Sequence, residues 1–228
     1  MSKGFFIDTT RCIACKACQV ACKQWNNLPA EETKNHGDYQ NPPDLSSSTY
    51  KTVRFNEEII DGKLRWLFFP DQCRHCLIPP CLLWAQNSSA IYQDEDTGAV
   101  VYTAETENLT AGDITGACPY DVPRSSKNGP LVKCTMCNDR VKKGMAPACV
   151  KTCPTGTMNF GELKEMQAMA VERLEKVKSV YPDARLLDQD EVRVIFLTAF
   201  APENYHQYAA SFDPKRWETR KRLGQQQK

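Results

Sequence analysis

The spacing of the cysteines constrains this chain more than any other sequence feature. Twelve cysteines occur among 228 residues, and they fall into four runs. The runs are Cys12, Cys15, Cys18 and Cys22; Cys73, Cys76 and Cys81; Cys118 alone; and Cys134, Cys137, Cys149 and Cys153. Much of the chain between residues 12 and 153 is therefore expected to be loops that bring distant thiols together.

The first run has the spacing of an iron-sulfur loop. In the pattern C-x2-C-x2-C-x3-C, three thiolates bind one [4Fe-4S] cluster and the fourth binds a neighbouring cluster. Proline follows both Cys118 and Cys153, which is also typical of ferredoxin loops. The pattern predicts several [4Fe-4S] clusters.

The same crossed rule predicts which runs share clusters. Each cluster takes three cysteines from one run and the last cysteine of its partner run, and only one pairing of the four runs leaves no cysteine unused. It joins run one to run four and run two to run three. The predicted ligands are Cys12, Cys15, Cys18 and Cys153 for cluster 1 (set 1); Cys22, Cys134, Cys137 and Cys149 for cluster 2 (set 2); and Cys73, Cys76, Cys81 and Cys118 for cluster 3 (set 3).

A fourth cluster is missing as a unit. Full runs would place cysteines at four further positions, where the chain has Ala85, Asn108, Ala111 and Ile114. All four would have bound the same cluster, so the chain is predicted to hold three. Losing a cluster from the middle of a linear relay would leave a long gap, and set 3 is therefore predicted to lie at the exit end.

Disulfides and zinc are the alternatives. An even number of cysteines suits disulfides, but disulfide-stapled domains are usually shorter secreted chains. Zinc sites are built from separated C-x2-C pairs, and a third cysteine at Cys18 departs from that pattern. Colour in anaerobically purified protein would separate the alternatives, because zinc sites and disulfides are colourless.

Charge and hydropathy exclude two other classes. The formal net charge is +1, and basic residues are not interleaved with aromatic ones, so nucleic acid is not an expected partner. No apolar stretch has the length of a transmembrane helix, and the best candidate, residues 192–200, is predicted to be a short buried strand.

The predicted fold class is α+β, with two nested ferredoxin-like modules, many loops, small β-hairpins, and a C-terminal helix and strand. The outer module, with two clusters, comprises residues 1–25 and 128–161. The inserted module, residues 51–127, holds one cluster and a lost site. Residues 26–50 are predicted to be a loop facing a partner or a disordered linker. Residues 162–228 form an extension that ends in a basic tail.

Local patterns predict the secondary structure. Residues 3–8 should form a strand, and residues 52–55 pair with 65–69 around a turn at Asp61-Gly62. A second hairpin joins residues 90–92 to 99–102. Residues 161–180 have the apolar spacing of an amphipathic helix.

Basic side chains near the ligands are candidates for tuning the clusters. Lys23, Arg74, Lys133 and Arg140 each lie close in sequence to a cysteine, and hydrogen bonds and charge near a cluster set its reduction potential. A structural or solvated role is the alternative for each. His75 lies between two cysteines, but set 3 already has four thiols, so His75 is expected beside the cluster or at the surface.

Four tracts carry a family resemblance: ACKQWNNLPAEETKNHGDYQNPPDL from residue 21, WLFFPDQCRHC from residue 66, ACPYDVPR from residue 117, and KCTMCNDR continuing to PACVKTCPTGTMNFG over residues 133–161. The chain resembles the iron-sulfur (beta) subunit of formate dehydrogenase and is most similar to the soluble periplasmic enzymes of sulfate-reducing bacteria. The cysteine frame alone also fits electron-transfer subunits of other molybdopterin oxidoreductases, which act on polysulfide, nitrite, nitrate or sulfoxide. An autonomous ferredoxin or an assembly factor is a further alternative.

The resemblance implies a heterodimer with a catalytic alpha subunit, which holds a tungsten or molybdenum bis-pterin cofactor and its own [4Fe-4S] cluster. Electrons from formate would pass through the three clusters to a soluble multihaem cytochrome c, and this chain would carry no catalytic site. It also implies export to the periplasm with the partner, since no leader is visible in the chain; a cytoplasmic enzyme is the alternative.

Overall fold

The structure is a computed structural model that describes residues 2–35, 37–125 and 129–211. The strands are β1 (Lys3–Asp8), β2 (Thr52–Ile60), β3 (Lys63–Asp71), β4 (Ile91–Gln93), β5 (Val100–Tyr102), β6 (Arg124–Ser125), β7 (Leu131–Val132), β8 (Met158–Glu162), β9 (Arg185–Leu187) and β10 (Val194–Thr198). The helices are α1 (Ala17–Trp25), α2 (Pro80–Ala85), α3 (Ala111–Ala117), α4 (Asn138–Val141), α5 (Ala148–Lys151) and α6 (Leu163–Lys178).

The largest sheet joins the two ends of the described chain. Its strand order is β8-β1-β10-β9, in which β1 runs parallel to β10 and antiparallel to β8. All five residues of β10 are buried, as expected for an apolar run in an inner strand with parallel pairing. The segment predicted to be a C-terminal extension therefore supplies two of the four strands of the core sheet.

Helix α6 packs against β1 and β10. Its buried residues Met166, Ala170 and Val177 recur at the spacing of one helix face. The methionine on this face is a packing residue, because it lies in the same apolar cluster as Val177 and Ile195.

The long hairpin β2–β3 connects the sheet to the cysteine loops. Its turn has positive φ at Asp61 (53°) and Gly62 (70°), which is the signature of a two-residue hairpin turn. At the other end, Phe69 stacks on Phe196 of β10 with ring centroids 4.3 Å apart. The residues that follow Phe69 are thereby held beside the sheet and lead directly into the second cysteine run.

The predicted elements are confirmed, with small changes of length. Both strands of the first hairpin are longer than predicted, and the helix, the second hairpin and the late buried strand lie within a few residues of their predicted bounds. The described part of residues 26–50 holds no helix or strand beyond an isolated bridge, and it packs on the protein, since Leu45 is buried and the Tyr39 hydroxyl donates to the Ala14 carbonyl oxygen.

Three further expectations concern a membrane helix, the basic tail and the division into modules. Among the described residues, no helix combines the length and apolar character needed to cross a membrane. The predicted basic tail lies outside the described residues. The division into nested modules stays a prediction.

Candidate iron-sulfur centres

The C-x2-C loops of three runs share one backbone conformation. The residue before the second cysteine has positive φ in each: Ala14 (54°), His75 (46°) and Met136 (61°). This region is unfavourable for residues other than glycine. In two of the loops the main-chain N–H of that residue points back at the first cysteine, because His75 N lies 3.4 Å from Cys73 Sγ and Met136 N lies 3.5 Å from Cys134 Sγ. Such N–H groups stabilise a thiolate.

The two Cys-Pro loops also resemble each other. The third residue after Cys118 is Asp121 (φ 51°), and the third after Cys153 is Gly156 (φ 69°). Burial raises the pKa of Cys118 to about 12, although backbone N–H groups of the loop act against it. At the less buried Cys153 the same kind of backbone donors outweigh burial and lower the pKa.

The structure brings the members of each predicted set together. The four cysteines of set 1 line one cavity, and the four cysteines of set 3 line another. In set 2, burial raises the pKa of Cys22 well above its usual value, and Cys134, Cys149 and Cys137 each raise it further through their charge. All twelve cysteines are free thiols.

Each cavity is lined by the four thiols that a [4Fe-4S] cluster requires. Among the described residues, no group of three or more His, Cys, Asp or Glu side chains converges on a point where it could hold one metal ion. A zinc ion needs four ligands within about 2.3 Å of one centre, whereas each iron of a cluster takes one thiolate, so the thiols surround a larger space. In the set 3 cavity, the hydroxyl of the largely buried Tyr102 lies beside Cys81 and acts against the rise that burial causes in the pKa of this thiol. A hydroxyl in this position can donate to a sulfur atom at the site.

The three sets lie in series. Helix α1 carries Cys18 of set 1 and Cys22 of set 2 one turn apart, and it packs against α5, which carries Cys149. Burial raises the pKa of Cys134 to about 12, and the charge that adds most to this rise is that of Cys73 in set 3. Set 2 is therefore in the middle, and set 3 is not sandwiched between the other two.

The lost fourth site is filled with apolar side chains. Ala85, Ala111 and Ile114 belong to one hydrophobic cluster, together with Cys81 and Ile91. The fourth position, Asn108, is exposed, and its amide donates to Glu105. Three of the four missing ligand positions thus meet in space, next to set 3.

Most of the charged candidates near cysteines have structural partners. Lys23 donates to the carbonyl oxygens of Pro29 and Ser48, and Arg74 is paired with Asp71. Arg140 lies over the Trp25 ring at 4.1 Å.

His75 is buried rather than at the surface, and its Nδ1 accepts the Val100 N–H at 3.0 Å. Burial, followed by the charges of Lys133 and Arg193, holds its pKa well below the usual value. A neutral imidazole thus anchors the loop that presents Cys73 and Cys76.

No sequence pattern marks Lys51, which lies far from every cysteine along the chain. Its side chain is 1% exposed, and its ammonium donates to Pro70 O at 3.0 Å and Gln72 Oε1 at 2.6 Å. Pro70 lines the set 1 cavity. Lys51 directly precedes β2, and the pairing of β2 with β3 brings it to Pro70 and so to the cysteine loops. Its position therefore depends on the fold and not on a sequence motif.

Loops that place four cysteines around one cavity are typical of an iron-sulfur protein, and residues 64–163 match a family profile described as a 4Fe-4S dicluster domain. Three relatives narrow this class. The chain is 56% identical to the formate dehydrogenase subunit beta of Megalodesulfovibrio gigas (92% of this chain, 100% of the relative). It is 50% identical to the formate dehydrogenase 2 subunit beta (cytochrome c-553) of Nitratidesulfovibrio vulgaris (92% and 99%). It is 42% identical to the nitrate-inducible formate dehydrogenase iron-sulfur subunit of Escherichia coli (88% and 70%).

The chain belongs to the family of formate dehydrogenase iron-sulfur (beta) subunits. The resemblance read from the sequence is confirmed, as are the α+β ferredoxin-like fold and the role of an electron-transfer subunit in an oxidoreductase. The assignment of cysteines to particular clusters and the number of clusters stay predictions.

Proposed function

We propose that sets 1, 2 and 3 each bind one [4Fe-4S] cluster and that the chain passes electrons along them from a catalytic subunit to a soluble acceptor. The observation that carries the proposal is the serial order of the sets, with set 2 adjacent to both others. A bound cluster supplies a one-electron carrier. The chain's own contribution is to bury most of the thiols, to direct backbone N–H groups at them, and to hold neighbouring sets on shared elements such as α1.

The two ends of the series have different roles in the proposal. Set 1 reaches the surface through the exposed Cys15, beside the exposed Ile13, and would receive electrons from the catalytic subunit. That partner would hold a tungsten or molybdenum bis-pterin cofactor and its own [4Fe-4S] cluster, and would oxidise formate. Set 3, which lies beside the filled fourth site, would be the exit.

A cytochrome c is the proposed acceptor. The name of the N. vulgaris relative includes cytochrome c-553, and we expect a soluble cytochrome, with a multihaem one as the first candidate. The proposed location is the periplasm, reached with the partner subunit, as the family resemblance of the sequence implies. Cell fractionation with immunodetection tests the location, and recovery with cytoplasmic markers would refute it.

Metal analysis and formate-driven reduction of the native complex test the function. Three clusters require about twelve irons in this chain, beyond those of the partner. Formate should reduce all three clusters and then an added cytochrome c. An iron content equal to two or four clusters would refute the ligand assignment. Cluster reduction by formate without any cytochrome reduction would refute the acceptor.

A further inference from the structure

Two lysines are buried in the part of the protein that holds the cysteines. Lys51 is 1% exposed and Lys133 is 5% exposed. Burying an ammonium group is unfavourable unless an opposite charge compensates it. Neither lysine pairs with a carboxylate in the described parts of the chain, and the recorded hydrogen bonds of both go to neutral oxygens: Lys51 binds Pro70 O and Gln72 Oε1, and Lys133 binds Val100 O and Cys134 O.

Each lysine lies beside two cysteine sets. The Lys51 ammonium donates to Pro70 O at 3.0 Å, and Pro70 lines the set 1 cavity. Burial is the largest influence on the pKa of five thiols of sets 1 and 2, and the charge of Lys51 acts against it at all of them: Cys12, Cys18, Cys22, Cys137 and Cys149. Lys133 lines the set 3 cavity and is the residue before Cys134 of set 2. One buried ammonium thus lies near sets 1 and 2, and the other lies near sets 2 and 3.

The missing counter-charge is explained if the sets hold clusters. A [4Fe-4S] cluster bound by four thiolates is anionic, and its net charge and surroundings set its potential. In a row of three anions the middle one has two negative neighbours, so an added electron is least favourable there. A positive charge near each pair of neighbouring sets offsets this, and only the middle cluster benefits from both charges.

We propose that Lys51 and Lys133 are the counter-charges of the relay. Lys51 raises the reduction potentials of clusters 1 and 2, and Lys133 raises those of clusters 2 and 3. The inference rests on the proposed three-cluster function. It assigns to Lys51 a role that no sequence motif marks. Because buried charges are weakly screened by solvent, each effect should be large enough to measure.

The test is a redox titration of the native complex, followed by electron paramagnetic resonance. Variants that lack one cysteine of a given set assign the midpoints to clusters. Lys51→Met and Lys133→Met remove the charge while keeping an apolar chain of similar length, and Lys51→Arg and Lys133→Arg keep the charge. Lys151→Met is the matched control, because Lys151 also lies close in sequence to ligands but is exposed.

In Lys51→Met, the ratio of reduced to oxidised clusters 1 and 2 at fixed potential should fall about tenfold, which is about 59 mV for one electron. Cluster 3 should be unchanged. In Lys133→Met, clusters 2 and 3 should shift and cluster 1 should not. The arginine variants and Lys151→Met should stay near the wild type. A purely structural role would not produce this pattern, in which only cluster 2 responds to both substitutions.

Unchanged midpoints in both methionine variants, or equal shifts of all three clusters in each, would overturn the inference. If Lys51→Met loses a cluster, Lys51→Gln replaces it, since the amide can still donate to Pro70 O; wild-type midpoints in that variant would refute the role of the charge. The proposed function fails separately, if the wild-type complex itself does not show three midpoints in this chain.

Discussion

Asp71 makes the most informative single substitution, because it balances two buried arginines beside set 3. Its carboxylate is 1% exposed and accepts from Arg54 Nε at 2.7 Å and from Arg74 Nη1 at 3.0 Å. Arg74 follows Cys73 directly, and its guanidinium lies over three aromatic rings, of which the nearest is that of Phe196 at 4.3 Å. We expect Asp71→Asn to remove the only carboxylate recorded next to Arg74 in the described chain.

The magnitude follows from burial. Breaking a buried ion pair by removing one partner costs about 3–5 kcal/mol, a large part of a total stability of about 5–15 kcal/mol. Asp44 provides a matched control, because it also binds two arginines, Arg54 and Arg124, at 2.7 and 2.6 Å. The Asp44 side chain is 46% exposed, so solvent screening should limit the cost of Asp44→Asn to about 1 kcal/mol or less.

Loss of the iron-sulfur absorbance in guanidinium provides the assay, since unfolding that releases clusters is irreversible and is measured as a rate. Each 1.36 kcal/mol corresponds to about a tenfold change in rate. Asp71→Asn should therefore lose its clusters roughly a hundredfold to a few thousandfold faster than the wild type, if the network breaks before the transition state for unfolding. Adding Arg74→Met should recover part of the loss, because it removes the unpaired charge. Similar rates for Asp71→Asn and Asp44→Asn would refute the reasoning.

The difference in the rate of cluster loss between the wild type and Asp71→Asn should depend on pH. Burial by itself would raise the pKa of Asp71, but Arg74 and Arg54 outweigh it, and the net pKa is lower than usual. A carboxyl group with a lowered pKa stabilises the folded state fully above its ordinary pKa and loses that contribution as the pH falls through the lowered value. The difference between wild type and Asp71→Asn should therefore shrink in acid.

Three further outcomes are expected. Asp94→Asn should speed the loss of iron-sulfur absorbance in guanidinium at pH 7 by roughly tenfold, because Lys142 and Asn138 outweigh burial and lower the pKa of Asp94 to about 2; an unchanged rate would contradict it. Cys81→Ala should remove about four irons per chain, and full iron content would exclude Cys81 as a ligand. Removing iron with a chelator should abolish near-ultraviolet circular dichroism and protease resistance, since metal binding is coupled to folding; a folded apo chain would show that packing alone suffices.

Much of the local structure could be predicted because its causes are local. The apolar spacing within residues 161–180 was enough to predict α6, and the turn at Asp61-Gly62 was enough to predict the first hairpin. The order of the core sheet could not be predicted in this way. Parallel pairing of β1 with β10 joins Phe5 to Val194, and no pattern within either segment specifies a partner so distant in the chain.

The sequence by itself determined the cysteine frame: four runs, one pairing with no thiol left over, and four absent positions that belong to a single site. These follow from counting, because ligand spacing in such loops is fixed by the geometry of the cluster. Only the tertiary structure decided the serial order of the sets, the apolar filling of the lost site, and the placement of Lys51 near sets 1 and 2. Those features depend on which distant segments pack together, and a charge acts through space without regard to its position along the chain.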